Sequence, residues 1–200
     1  MSDAASDIGS DAVSDTGSGP VEFDMIVEVP QGSRNKYEYD PVIDAIRLDR
    51  MLFTSTRYPH DYGFIPGTLA EDGDPLDAMV ILDEPTFPGC EIAVRPIAVF
   101  WMTDEKGPDA KILMVPARDP RYAGLQDLGD VPEHVTAEIG HFFDIYKELE
   151  RDKSTDVRGW QDRAAAETII AESLARAAED RATEDEATED EAADEASAED

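Results

Sequence analysis

The chain has 200 residues, of which 41% are hydrophobic, and a formal net charge of −30 at pH 7; that length suits one domain with a substantial core. So acidic a surface argues against nucleic acid and anionic membranes as partners. There is no run of 18 apolar residues, no basic N-terminal region ahead of an apolar stretch, and one cysteine, Cys90, so a cytoplasmic protein is expected, without transmembrane helix, secretory signal or internal disulfide.

Residues 1–20 carry Ser-Asp pairs at Ser2-Asp3, Ser6-Asp7, Ser10-Asp11 and Ser14-Asp15, with Gly and Ala between them and no Lys or Arg. Such a segment cannot bury a core and reads as a disordered acidic tail. The structured unit is expected from 21 to 178. Phe23, Met25, Val27 and Val29 alternate with Glu22, Asp24, Ile26 and Glu28, the period of a strand. Lys36 to Asp40 alternates again, with Lys36, Glu38 and Asp40 on one face and the tyrosines on the other. Ile46, Leu48, Arg50 and Leu52 share a face in the next segment. Leu76 to Leu82, Glu91 to Trp101 and Lys111 to Ala117 are further strand candidates. Cys90 follows Pro88-Gly89 in a turn and reads as a packing residue. Short strands separated by Gly and Pro point to a sandwich or barrel.

Helices come last. Pro132 suits a first helical position, and Val135, Ile139, Phe142, Tyr146 and Leu149 follow as one stripe. Arg163 to Arg176 is a second helix with Ile169, Ile170 and Leu174 as its apolar face. The fold class expected is mainly β with flanking helices (α+β), a small barrel with helices packed outside. Residues 179–200 hold twelve acids against one Arg and read as a second acidic low-complexity tail; Ala and Glu there favour helix, while the density of like charge opposes it. With both tails set aside, residues 21–178 still carry −15, and the chain has five Lys against twelve Arg. Acid surplus with scarce lysine fits molar salt, where a Debye length of about 3 Å screens self-repulsion, so a halophilic cytoplasm is expected. An ordinary acidic protein with two acidic tails is the alternative.

Chemistry concentrates in Asp72-Gly73-Asp74-Pro75-Leu76-Asp77 and in Met102-Thr103-Asp104-Glu105-Lys106-Gly107-Pro108-Asp109-Ala110-Lys111. Carboxylates are hard ligands, and Mg²⁺ accepts one or two of them while keeping several waters. Five aspartates around one pocket would suit several such ions, and therefore displacement at phosphorus. D-G-D-P alone also fits a solvated turn. An EF-hand is a poorer fit, because glycine falls at the second place and the twelfth position from Asp72 is Asp83, not Glu. Cations and phenols accompany the aspartates: Lys36, Arg50, Lys111 and Lys147 stand in acidic or apolar surroundings, Tyr58 and Tyr62 lie in Tyr-Pro-His-Asp-Tyr-Gly, and Tyr146 precedes Lys147. Arg offers a fork for two phosphate oxygens and Lys a point charge.

In this order the pieces closely resemble the soluble inorganic pyrophosphatases of the β-barrel family (family I). They are Glu28-Val29-Pro30, Lys36-Tyr37-Glu38, Asp49-Arg50, Tyr58 to Gly63, Asp72 to Asp77, Met102 to Glu105, Asp109-Ala110-Lys111 and His141 to Lys147. The resemblance implies a five-stranded OB-like barrel flanked by helices that hydrolyses pyrophosphate to two orthophosphates with Mg²⁺. It implies that Asp72, Asp77 and Asp109 bind a first ion, with Asp77 bridging to a second, and that Asp104 and Asp109 hold one that enters with the substrate. Asp74 would deprotonate the attacking water. Lys36, Arg50, Tyr62, Tyr146 and Lys147 would bind phosphate oxygens, with Glu28, Glu38, Tyr58 and Lys111 in support. A homo-oligomer, usually a hexamer, is also implied. His141 stands where some members place a subunit-contact histidine, but Ile145 replaces the second. The acidic composition points, within that family, to a halophilic archaeal-like member. Two other readings remain open at this level: another metal-dependent phosphohydrolase, such as one acting on nucleotides, and a non-catalytic OB-like module binding a polyanion.

Overall fold

The computed structural model describes residues 21–198, with side chains to residue 183; the N-terminal segment expected to be disordered lies outside them. In chain order the elements are β1 (Phe23–Val29), β2 (Asn35–Asp40), β3 (Ala45–Met51), β4 (Asp61–Phe64), β5 (Asp77–Val80), β6 (Glu91–Asp104), β7 (Gly107–Pro116), α1 (Glu133–Ile145), β8 (Thr155–Gln161) and α2 (Arg163–Ala198). Strands β1, β4, β5, β7 and β6 are hydrogen-bonded in that order, and β1 pairs back onto β6, which closes a five-stranded barrel. Only β5 and β7 are parallel. The 14-residue β6 serves three neighbours: β1 takes its first residues, β8 its last, and β7 its other edge. β2 and β3 form a separate antiparallel hairpin.

The barrel expected from short strands and from the family resemblance is thus observed. Two strands escaped the sequence reading. β4 contains Gly63 and spans four residues, and β8 is a polar edge strand whose only ladder partner is β6; neither carries enough alternation to stand out. Gly63 is required by close approach: a Cβ there would lie 1.9 Å from the Ile26 carbonyl oxygen.

Bulges decide which side chains reach the cleft, since one extra residue re-aims its neighbours and such bulges gather at barrel rims. Glu28 is the extra residue where Val27 opposes Gly63 and Val29 opposes Tyr62. Asp49 is extra where Lys36 opposes Arg50 and Tyr37 opposes Leu48. The face expected to unite Ile46, Leu48, Arg50 and Leu52 is broken there: Leu48 is 57% exposed and Leu52 is buried.

Alternation divides the apolar residues of β5 and β7 between two clusters. Met79, Leu113 and Val115 pack with Ile139, Phe142, Phe143 and Tyr146 of the α1 segment. Ala78, Val80, Ile112 and Met114 pack with Ala166 and Ile170 of α2. Helix α1 starts at Glu133 with Pro132 at its N-cap and ends at Ile145, so Leu149 falls outside the expected stripe and is exposed. On α2 the buried positions are Ala166, Ile170, Ser173 and Ala177, while Leu174 lies off the seam. α2 also runs to Ala198, well past the expected end at Arg176, as the helix propensity of Ala and Glu favours. Among the described residues no helix is long and apolar enough to cross a membrane.

Candidate active site

One cleft of about 550 Å³ is enclosed by the bulged end of β1, the β2–β3 hairpin, β4, the loop entering β5, the β6–β7 hairpin and the turn after α1. Glu28, Lys36, Glu38, Arg50, Tyr62, Asp72, Asp74, Asp77, Asp104, Asp109, Lys111, Tyr146 and Lys147 all line it. Of the residues given metal, catalytic, binding or supporting roles, Tyr58 alone is absent from the wall. It lies behind it, 2% exposed, with its ring centroid 5.3 Å from that of Tyr62 and 4.8 Å from that of Phe142. Burial holds the phenols of Tyr58 and Tyr62 well above the ordinary tyrosine range.

The aspartates stand on two walls. Asp72 and Asp74 occupy the loop before β5, and Asp77 begins that strand. Asp104 ends β6, and Asp109 lies near the start of β7. Lys111, two residues on from Asp109 and therefore on the same strand face, bridges the walls. Its Nζ donates to Asp77 Oδ2 at 2.6 Å, to Asp109 Oδ2 at 2.9 Å and to Tyr62 Oη at 3.1 Å. Burial works against its charge, but Asp77 and Asp109 outweigh that and hold the ammonium well above its usual range. Lys147 Nζ meets Asp104 Oδ2 at 2.9 Å, both side chains being 9% exposed. Lys106, at the β6–β7 turn, reaches Asp74 Oδ2 at 2.6 Å and Asp72 Oδ2 at 3.4 Å.

Two carboxyls are raised, in each case first by burial. Glu28 is pushed up to about 7, chiefly by burial, although its Oε1 accepts the Tyr39 N–H at 2.7 Å. Asp109 is raised as well, because burial and the nearby Asp77 and Asp104 together outweigh Lys111. Among the described residues no three carboxylates close on one point as a ready ion cage. The donor set is nonetheless all oxygen, crowded and short of countercharge. That is the chemistry a divalent ion with retained waters fits.

Several wall residues were missed. Glu105, Lys106 and Lys153 line the cleft, and Lys153 Nζ donates to Glu105 Oε1 at 2.5 Å. A usable signal existed: the chain has five lysines, and all five line this one cleft. Glu150, in the turn after α1, takes Arg50 Nε at 3.0 Å and Nη2 at 2.9 Å. Nothing local in the sequence marks that pairing, since the partners are 100 positions apart.

A family model for inorganic pyrophosphatase matches residues 25–178. An inorganic pyrophosphatase of Streptomyces coelicolor is 57% identical over 156 residues, covering 78% of this chain and 96% of that one. One of Methanosarcina mazei is 56% identical over 152 residues, covering 76% and 89%. The crystal structure of inorganic pyrophosphatase from Thermus thermophilus superposes with a TM-score of 0.77 at 51% identity, over 80% of this chain and 94% of that one. The relatives are mostly bacterial and lend no support to an archaeal-like origin. With its barrel, its cleft and more than half of its aligned positions shared with the first two of these proteins, the chain belongs to the inorganic pyrophosphatase family.

Proposed function

We propose that the chain hydrolyses inorganic pyrophosphate to two orthophosphates with Mg²⁺, and that the cleft performs this reaction. The observation that carries the assignment is the gathering of five aspartates with Lys36, Arg50, Lys111 and Lys147 in one concave site. Asp72, Asp77 and Asp109 would hold a first ion, Asp77 would also serve a second, and Asp104 with Asp109 would hold one that accompanies the substrate. When bound, Mg²⁺ supplies neutralisation of phosphate charge and acidifies coordinated water. Asp74 orients the attacking water and takes its proton. The water oxygen forms the new P–O bond, the bridging P–O bond breaks, and the leaving phosphate carries away that electron pair. Lys36, Arg50, Tyr62, Tyr146 and Lys147 grip phosphate oxygens and stabilise the charge that grows on the leaving side. Glu28, Glu38, Tyr58 and Lys111 hold these groups in place.

Asp74→Asn keeps the shape of the side chain but removes the base. Its turnover of pyrophosphate should fall by at least about 10², while Mg²⁺ binding measured by calorimetry persists. Near-normal phosphate release from that variant removes Asp74 from the role. Full activity in excess chelator sinks the metal mechanism. Equal turnover of ATP or tripolyphosphate would move the assignment to a broader phosphohydrolase.

The same proposal includes a cytoplasmic homo-hexamer working in high salt. Exposed Leu48, Met51 and Phe53 on and after β3 favour assembly, and the acidic surface favours salt. Sedimentation over a salt series decides both: the assembly should come apart as salt falls to about 0.1 M, where the Debye length reaches about 10 Å.

A further inference from the structure

The loop that bears Asp72 and Asp74 has no strand partner of its own, yet its backbone is tied in three tiers. At its base Ile65 N–H donates to Leu76 O at 3.0 Å, and the Thr68 hydroxyl donates to Ile65 O while accepting Leu76 N–H at 2.9 Å. At its crest Ala70 N–H donates to Asp74 O at 2.7 Å, and Asp74 N–H donates to Asp72 Oδ1 at 3.2 Å. Between them stands Leu69, and both of its backbone groups leave the loop for α2. Leu69 N–H donates to Ser173 O at 3.0 Å, and Leu69 O accepts from Arg176 Nη1 at 2.5 Å.

A mid-helix carbonyl ordinarily serves only its own helix. Here Ser173, 2% exposed on the seam that Ala166, Ile170 and Ala177 press toward the barrel, also receives an N–H from outside. Arg176 stands three residues on, so it rises on the same face. The pair leaves no buried main-chain group of Leu69 unsatisfied. It also fixes the height from which the crest, with Asp72 and Asp74, projects over the cleft.

We propose that Arg176 is a positioning residue for catalysis: from α2 it holds the Leu69 stem and thereby sets where Asp72 and Asp74 stand. This rests on the roles given above to those two aspartates. The substrate-gripping residues Lys36, Arg50, Tyr146 and Lys147 stand on other elements and are untouched by the contact.

The experiment compares Arg176→Ala and Arg176→Lys in the full-length chain. Hydrogen exchange should speed up across 66–76 in Arg176→Ala and stay unchanged in the barrel strands. Mg²⁺ binding to the substrate-free protein should weaken by about tenfold and kcat should fall by about tenfold, since displacement of a reacting group by an ångström can cost about 10². KM for pyrophosphate should stay within about twofold, the signature of lost reaction geometry without lost substrate binding. Arg176→Lys, which still carries a donor to Leu69 O, should recover most of the loss. Should Arg176→Ala not purify, Arg176→Gln replaces it, with an amide donor too short to reach as the guanidinium does. Wild-type exchange over 66–76, or wild-type kcat and Mg²⁺ affinity despite a lowered Tm, overturns the proposal. Asp74→Asn measured alongside separates the two levels: if it is fully active, the aspartate roles fail, while exchange still reports on the anchor.

Discussion

Two lysines in the cleft are placed in chemically similar positions and differ in surroundings. Lys111 Nζ lies 2.6 Å from Asp77 and 2.9 Å from Asp109, and Lys106 Nζ lies 2.6 Å from Asp74 and 3.4 Å from Asp72. The shortest contacts match. Lys111, however, is 3% exposed beneath Tyr62 and Phe143, while Lys106 is 54% exposed at a hairpin turn. Coulomb energy at a given separation scales inversely with effective dielectric, and a buried charge also depends on its partner to offset lost hydration. Separation alone therefore does not rank these contacts; depth does. The deep one belongs to the barrel wall, and the shallow one spans two loops that, in the proposed mechanism, take up an ion.

The largest effect should follow from Lys111→Met. That change leaves Asp77 and Asp109, 31% and 22% exposed, facing each other with no cation between them; breaking a buried pair costs about 3–5 kcal/mol, the upper end of what these part-exposed carboxylates should show. Thermal unfolding in chelator should show that loss. Added Mg²⁺ should return part of it, because an ion that binds only the folded form stabilises by mass action. A loss under about 1 kcal/mol would place Lys111 with ordinary surface pairs and erase the contrast.

Glu28 supplies the next effect, at the buried β1 bulge on the cleft's edge. Its folded-state value of about 7 lies above the ordinary carboxyl value of 4.5, so the folded chain binds the proton more tightly than the unfolded chain. Protonated Glu28 therefore favours folding below about 4.5, and that stability is lost as pH rises from there through about 7. Glu28→Gln stays neutral and can still accept the Tyr39 N–H. In the metal-free protein it should match wild type near pH 4.5 and exceed it at pH 8 by up to about 3 kcal/mol. Parallel stability–pH curves for the two proteins would mean that the carboxyl is compensated in a way its surroundings do not reveal.

How much of this was readable in advance follows the same division. Strands β1 and β2 carry clear alternation, β6 and β7 are apolar runs, and the positions of all four agree with the sequence reading to within a few residues. The aspartate motifs are contiguous, so their convergence on one cleft could be anticipated from residue order. What failed was geometry created by irregularity or by distance. The Asp49 bulge sends Leu48 outward and Arg50 to the cleft, and no periodic pattern encodes an extra residue. Glu150 meets Arg50, and Arg176 meets Leu69, across 100 and 107 positions. Lys106 and Lys153 were overlooked for another reason: exposed lysines are common in most proteins, yet here the shortage of lysine made each one informative.

The smallest effect belongs to Lys106→Met, and it tests the contrast from the shallow side. An exposed pair of this kind contributes no more than about 1 kcal/mol, so the stability of the variant in chelator should stay close to wild type. The interesting consequence lies with the ion. Lys106 places an ammonium on Asp74 and Asp72, the same oxygens that an incoming cation and the attacking water would use. Removing it takes away both a competitor for those oxygens and a like charge. Mg²⁺ affinity in 0.1 M salt should therefore tighten, by up to about fivefold if the whole pair energy is recovered. In 1 M salt, where the Debye length shrinks from about 10 Å to about 3 Å, the gain should largely vanish. Lys153→Met is the control, since Lys153 lines the same cleft but sits on Glu105. A gain specific to Lys106 identifies direct contact with the aspartate pair; an equal gain from both variants identifies only the general field of the cleft. A destabilisation as large as that of Lys111→Met would show that exposure is not what separates the two lysines.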